Sequence, residues 1–531
     1  MGRYRMPSGI DRRTLLKGGL GLAAAGFPLP GLVQPLAQFK ANPFSLGIAS
    51  GDPAPDGFVL WTRLAPEPLA FRGGMTMLPV EVTWEIATDP AMKQVIRAGQ
   101  AIARIEVAHS VHVEVEGLEP ARDYFYRFRA REAESPIGRS RTLPATGSDV
   151  ASLRFASAGC QEWEGGYYTA WRHIADEAFD FVCHYGDYIY EGPYYTVRYD
   201  NTPVARTLPR DFGTCVTLVD YRRRYTVYKS DPDLQAAHAS CPFLSSFDDH
   251  EVVDNWAGDH DPKNSPPEAF LFRRAAAFQA WYEHMPVRRR MAPRGPDMQA
   301  YRAFRFGNLA DIAVLDTRQY RSPQPCGDGF KVCKEADEPN RTMLGEQQER
   351  WLADTLRGAS ATWQVLAQQV LFSRLDFSSF SWVKSKEPHS HNLDAWDGAS
   401  AARDRVLRML SEARVKNPVV LTGDAHIGMA FEIRIDWDDP ASPCAAVEFL
   451  AQSISSNGDG ERDVKNSEAI LGKNPHLRYL GNERGFVRHT VTPQRWQADY
   501  RVMERVSTPG APILTRKSFV VEAGKPGLAD A

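Results

Sequence analysis

Phe179-Asp180-Phe181-Val182-Cys183-His184-Tyr185-Gly186-Asp187-Tyr188-Ile189-Tyr190 is the stretch on which the fold turns. Phe179–Tyr185 is a short apolar run closed by a turn signal, the mark of a strand buried on both faces. Gly186-Asp187 ends it, and side chains able to bind metals follow. The pattern recurs along the chain. Leu153–Ser157 runs into Ala158-Gly159-Cys160, and Phe247-Asp248-Asp249-His250-Glu251 follows Cys241-Pro242-Phe243-Leu244. The strand Val419–Thr422 ends in Gly423-Asp424-Ala425-His426. Open α/β sheets bind ligands beyond the carboxyl ends of their strands. Four such ends would bring a thiol, several carboxylates, two histidines and a phenol to one rim. Any one of them alone reads as an ordinary turn or helix cap. Together they point to metal chemistry.

Around these strands, apolar residues at helical spacing predict helices over Tyr168–Phe179, Glu268–His284, Glu346–Arg357 and Ala401–Ala413. Further strands are predicted at Ala310–Leu315, Gln364–Leu371, Phe431–Trp437, Ala445–Ile454, Gly485–Val491 and Gln497–Val502. Residues 151–531 therefore read as an α/β domain with mixed sheets. Residues 43–146 read differently. Phe58–Arg63, Val80–Ile86, His112–Glu116 and Asp123–Arg129 are short strands divided by turn residues. Leu118-x-Pro120-x-x-x-Tyr124 resembles the tyrosine corner of fibronectin-III-like sandwiches, so this region is expected to be a small β-sandwich. Pro144–Ser148 is the expected linker.

The chain has 531 residues, and 63 Lys+Arg against 66 Asp+Glu leave a net charge of −3. That balance gives no reason to expect specific nucleic-acid binding or attraction to anionic membranes. A mean hydropathy of −0.40 excludes a polytopic membrane protein. Asp11-Arg12-Arg13-Thr14-Leu15-Leu16-Lys17 precedes a weakly apolar stretch, Gly18–Val33, broken by Gly and Pro. This reads as a Tat export signal over 1–37, removed to leave a mature protein without a transmembrane span. It implies passage through the Tat machinery to a periplasmic or secreted location. None of the seven cysteines has CxxC spacing, so a zinc ribbon is not expected. Cys326 and Cys333 flank a Gly-rich loop and are the best disulfide pair on closeness alone, while Cys183 reads as a buried small hydrophobe.

Several motifs together resemble the alkaline phosphatase D (PhoD-like) family of calcineurin-like, purple-acid-phosphatase-like metallophosphoesterases. They are Phe155–Gln161, Gly186–Glu191, Asp248–Glu251, Leu315–Arg321, Leu421–His426, Ser453–Gly458, Arg484–Pro493 and, near the N-terminus, Ser50–Arg63. The resemblance implies an N-terminal fibronectin-III-like sandwich, then a metallophosphoesterase domain with two mixed sheets flanked by helices. It implies an exported hydrolase of phosphate mono- or diesters that uses Fe(3+) with Ca(2+), with Zn(2+) or another divalent metal as the alternative. Attack would come from a hydroxide bridging the two cations. Asp187 takes the place of the bridging carboxylate, Tyr190 of the phenolate and Cys160 of the thiolate ligand to iron. His426 keeps the family's histidine. Asp249 and Asp424 replace the Asn and His usual in the wider superfamily and are expected to make the second site rich in oxygen, which suits calcium.

His250 is the expected general acid or phosphate contact. Arg318 is a candidate for pairing with phosphate oxygens through its fork, a salt bridge to a neighbouring carboxylate being the alternative. Asn255 and His476 are further candidates for the calcium side and the substrate rim. Gln368 and Gln369 stand where the wider superfamily has another histidine. Two other readings remain open. One is a phosphodiesterase with phospholipase D-like action on head groups. The other is a non-catalytic cell-surface binding protein.

Overall fold

The computed structural model describes residues 38–193, 205–439 and 441–531. The expected export signal over 1–37 lies outside them. Residues 41–531 form one compact unit built on two large sheets. In the first, Leu153–Ala158, Phe181–His184 and Phe243–Ser245 run parallel, and the antiparallel strands Gly485–Val491, Arg495–Met503, Ile513–Glu522 and Lys525–Asp530 continue from the Leu153 side. In the second, Ala310–Val314, Trp363–Ala367, Pro418–Thr422 and Cys444–Leu450 run parallel, flanked by antiparallel strands on both sides. Phe155, Phe181 and Val487 of the first sheet share a buried cluster with Ile312, Val365 and Val419 of the second. Thr169–Asp176, Leu218–Lys229, Pro232–Ser240 and Pro267–His284 contribute to the buried cluster on the other face of the first sheet, and Gly345–Arg357 and Ser400–Glu412 do so for the second. The parallel strands carry apolar side chains on both faces because both faces are covered.

The sandwich expected near the N-terminus is present, but it does not stand alone. Its first sheet contains Val80–Ala87, Val95–Ala103, Asp123–Ala130, Ala133–Glu134 and Gly138–Arg141. Its other strands, Ile48–Ala54, Gly57–Arg63 and Ser110–Val115, belong to the ten-stranded sheet, because Gly51 pairs in parallel with Phe243. A Cβ at Gly51 would lie 2.3 Å from the Pro286 carbonyl oxygen, so only glycine permits this junction. Tyr124 forms the predicted corner: its hydroxyl accepts from the Glu119 N–H at 2.9 Å, and its ring packs 6.2 Å from Phe58 on the facing strand. Cys326 and Cys333 are disulfide-bonded, and Cys183 is buried and free, both as expected. Among the described residues no helix is long and apolar enough to cross a membrane.

Candidate metal centre

The carboxyl ends of the parallel strands in both sheets converge on one cleft of about 1500 Å³. Cys160 follows Leu153–Ala158, Asp187 and Tyr190 follow Phe181–His184, Asp249 and His250 follow Phe243–Ser245, and Asp424 and His426 follow Pro418–Thr422. Four of these residues hold left-handed backbone: Cys160 (φ 51°), Asp187 (55°), Asp424 (64°) and His426 (61°). A side chain with a Cβ adopts that region at a cost, and such strain collects at functional sites. Gly186 makes room for the turn, since a Cβ there would meet the Asp248 backbone nitrogen at 2.6 Å.

One ligand atom each from Cys160, Asp187 and His426 lie within 4.8 Å of one another. The Tyr190 hydroxyl joins them, donating to Asp187 Oδ2 at 3.0 Å and lying 2.9 Å from His426 Nε2 and 2.7 Å from Ser456 Oγ. Ser456 Oγ in turn donates to the Cys160 carbonyl at 2.6 Å and so ties the phenol to the loop that carries the thiol. Asp187, Asp249 and His250 make a second group of the same dimensions, and Asp248, Asp249 and Asp424 a third. Asp187 therefore belongs to two adjoining groups, as a bridging carboxylate must.

The donors fit a bound cation. Asp187 Oδ1 is buried without a hydrogen-bond partner in a pocket of carboxylates. Burial, and then the neighbouring Asp249 charge, push the Asp187 carboxyl well above the usual range. Burial and the Asp187 charge act alike on the Cys160 thiol and the Tyr190 phenol. A group of buried acids driven toward neutrality by one another is stabilised as anions by a multivalent cation. Cys160, Tyr190, His426 and Asp187 offer thiol, phenol, imidazole and carboxylate donors that suit a transition metal, whereas Asp249 and Asp424 offer hard oxygens.

His250 borders the cleft with its imidazole 4.2 Å from the Tyr190 ring and tilted 31° to it. Glu191 Oε2 lies 2.7 Å from Nδ1, Glu191 is fixed by the Asp254 N–H at 3.0 Å, and Asp254 lies 3.8 Å from Nε2. Burial lowers the affinity of the ring for a proton, but Asp249, Glu191 and Asp187 outweigh it and hold His250 well above the ordinary range. Glu251 of the same motif holds the loops together, accepting the N–H groups of Asp187 (3.1 Å), Tyr188 (2.6 Å) and Asp248 (2.8 Å).

Arg318 requires a correction. Its guanidinium has no exposed surface and is spent on carboxylates: Asp248 at 2.5 Å, Asp394 at 2.8 Å and Asp424 at 3.3 Å. Of the two readings, the salt bridge is the one realised, and its work is to neutralise the floor beneath the centre. His476 is also displaced from its expected role. Its Nε2 lies 2.6 Å from the Arg374 carbonyl oxygen, beside Phe431 and Trp437 and off the cleft lining. Asn255 does reach the site, donating its N–H to Asp249 at 2.7 Å. Gln368 and Gln369 lie past the end of Trp363–Ala367 and are engaged elsewhere: Gln368 with Thr422, Val370 and Trp396, and Gln369 with Thr317, Ser246 and Leu315. They replace a ligand with internal struts. Ser456, Glu191 and Asp394 were not singled out from the sequence. The first two lie inside quoted motifs, and Asp394 had no local signal.

The PhoD-like phosphatase family model matches residues 155–500, and the model of that family's N-terminal domain matches 31–144. Alkaline phosphatase D of Bacillus subtilis (strain 168) is 45% identical over 529 residues, covering 98% of this chain and 89% of its relative. A solved structure described as that of PhoD superposes with a TM-score of 0.88 at 46% identity over 93% of each chain. With both regions matched and the strand-end residues gathered in one cleft, the chain belongs to the PhoD-like phosphatase family and is a hydrolase of phosphate esters.

Proposed function

We propose that this phosphatase carries Fe(3+) on Cys160, Asp187, Tyr190 and His426, and Ca(2+) on the oxygen side with Asp249 and Asp424. The observation that carries this reading is the convergence of thiol, phenol, imidazole and carboxylate around Asp187, whose Oδ1 has no protein partner. When bound, the cations supply Lewis acidity to the phosphate oxygens and lower the pKa of water. The chain's own part is to hold the ester in the cleft and deliver a proton. Glu191 anchors His250 through Nδ1 and leaves Nε2 to reach the departing alkoxide. Monoesters fit this arrangement. A cleft of about 1500 Å³ also leaves room for the second arm of a diester, which keeps phospholipase D-like cleavage as the alternative reading.

Colour tests the metal assignment. A thiolate or phenolate on ferric iron gives visible charge-transfer absorption, which closed-shell calcium and zinc cannot give. The oxidised holoprotein is expected to be coloured, with the band shifted or bleached in Tyr190→Phe and iron content reduced in Cys160→Ser. A calcium chelator is expected to abolish activity reversibly while the colour stays. An active, metal-replete but colourless protein would overturn the iron assignment, and full activity after exhaustive chelation would overturn calcium.

Export by the Tat route to the periplasm or beyond is part of the proposal and rests on Arg12-Arg13 with the Gly/Ala-rich stretch behind them. Replacing both arginines with lysine is expected to leave folded, active enzyme in the cytoplasm. Normal export of the Lys-Lys chain in a fractionation experiment would refute the assignment.

A further inference from the structure

One wall of the cleft has no part in the metal centre. Phe330, Phe377 and Trp382 line it, and Trp382 is 52% exposed. The rings brace one another: Phe330 lies 4.9 Å from Phe377 and 5.0 Å from Trp382, and Phe380, buried behind them, lies 5.0 Å from Phe377 and 5.4 Å from Trp382. The backbone beneath is pinned as well. Phe330 pairs with Asn392 across a two-stranded ribbon, inside the loop closed by the Cys326–Cys333 disulfide. The same loop connects to the centre, since Asp328 accepts from Asn255 Nδ2 at 3.0 Å and the Asn255 N–H donates to Asp249 at 2.7 Å. A rigid, partly exposed aromatic surface loses little side-chain entropy when a ligand covers it. Trp382 faces the cleft and is braced by three rings, so it is set apart from a singly scattered exposed side chain.

The charge around it narrows what can bind. Among the described residues lining the cleft there are ten carboxylates and one guanidinium. That guanidinium, Arg484, donates to the backbone carbonyls of Gly458 and His426 and to the Asn482 side chain. Asp394 is already paired with Arg318 and Arg321, and Glu191 with His250, but the other carboxylates away from the metal ligands still outnumber Arg484, so the cleft disfavours an additional anion.

We propose that Phe330, Phe377 and Trp382 form a subsite for the alcohol part of the ester, selecting a group with a flat apolar face and no negative charge of its own. The proposal rests on the reading that phosphate is cleaved at the adjoining centre. Stacking on a braced ring stabilises a flat group and gives nothing to inorganic phosphate, which has no such group.

The test compares phenyl phosphate with ethyl phosphate in the full-length holoenzyme. In Trp382→Ala the preference for the phenyl ester, as a ratio of kcat/KM values, is expected to fall about tenfold through KM. Trp382→Phe is expected to keep most of it, and the inhibition constant of inorganic phosphate to stay within about twofold. A ring carboxylate makes the phenol a better leaving group, so chemistry alone favours 4-carboxyphenyl phosphate. The wild-type enzyme is nevertheless expected to use it less well than phenyl phosphate. An unchanged phenyl-to-ethyl ratio in Trp382→Ala, or a phosphate constant that weakens in step with it, would overturn the subsite. Equal or better use of the carboxylated ring would overturn the charge selection. A wrong metal assignment scales both ester activities together and leaves the ratio to report on the wall.

Discussion

A His250→Ala enzyme is expected to turn over phosphate esters about 10²–10⁴-fold more slowly than its parent while keeping its metal content. The imidazole is held at Nδ1 by Glu191, itself fixed by the Asp254 backbone, so one ring nitrogen is committed to position and the other is left for proton transfer. Loss of a proton donor hurts most where the leaving alkoxide is basic. The deficit is therefore expected to be large for alkyl phosphates and to shrink for p-nitrophenyl phosphate, whose leaving group needs little help. The rival role is built into the geometry, because His250 also stands within 4.8 Å of Asp187 and Asp249 in a potential ligand group. Metal analysis of the purified variant decides between them. Loss of a cation together with a uniform loss of rate on both substrates would make His250 a ligand.

The second large effect is on stability. Arg318→Met is expected to cost at least about 3–5 kcal/mol of unfolding free energy, the usual penalty for removing one partner of a buried ion pair. The guanidinium is fully buried and pairs with Asp248, Asp394 and Asp424, so its loss leaves several carboxylates with one another for company. Even with Arg318 present, burial outweighs the attraction and pushes Asp248 up to about 7. Without it, the orphaned acids would bind protons in the folded state at a pH where the unfolded chain binds none. A carboxyl raised above its unfolded pKa of about 3.9 loses stability as pH climbs from that value toward the folded one. The deficit of Arg318→Met is therefore expected to be smaller near pH 5 than near pH 8. Denaturant titrations at the two pH values, made on metal-loaded protein, check both sign and size. A loss below 1 kcal/mol that does not vary with pH would mean the cage is not what Arg318 neutralises.

The centre was legible in the sequence to the extent that its parts are local. An apolar run followed by Gly-Asp places a strand and its carboxyl end within a few residues. Cys160, Asp187, Tyr190, Asp249, His250, Asp424 and His426 were accordingly found at their strand ends; six of them line one cleft, and Cys160 is buried against Asp187 and His426. The helix Leu218–Lys229 was missed because its inward side is not apolar in composition: Arg224 and Lys229 are buried along with Tyr221, Tyr225 and Tyr228. The strands Ile513–Glu522 and Lys525–Asp530 were missed for a related reason: the second is the edge of the ten-stranded sheet, the first is its neighbour, and both alternate weakly.

What the sequence determined by itself was the kind of chemistry and the strand ends that carry it, since turn chemistry and apolar runs act over a few residues. Tertiary structure alone decided the rest. That Ile48–Ala54 lies beside Phe243–Ser245, fusing the sandwich with the ten-stranded sheet, depends on a pairing between segments almost two hundred residues apart. That Arg318 faces a floor of carboxylates rather than the substrate depends on Asp248, Asp394 and Asp424 arriving from three separate segments. A side chain's partner is set by which strands become neighbours, and its charge does not reveal whether that partner will be a phosphate in the cleft or an aspartate beneath it.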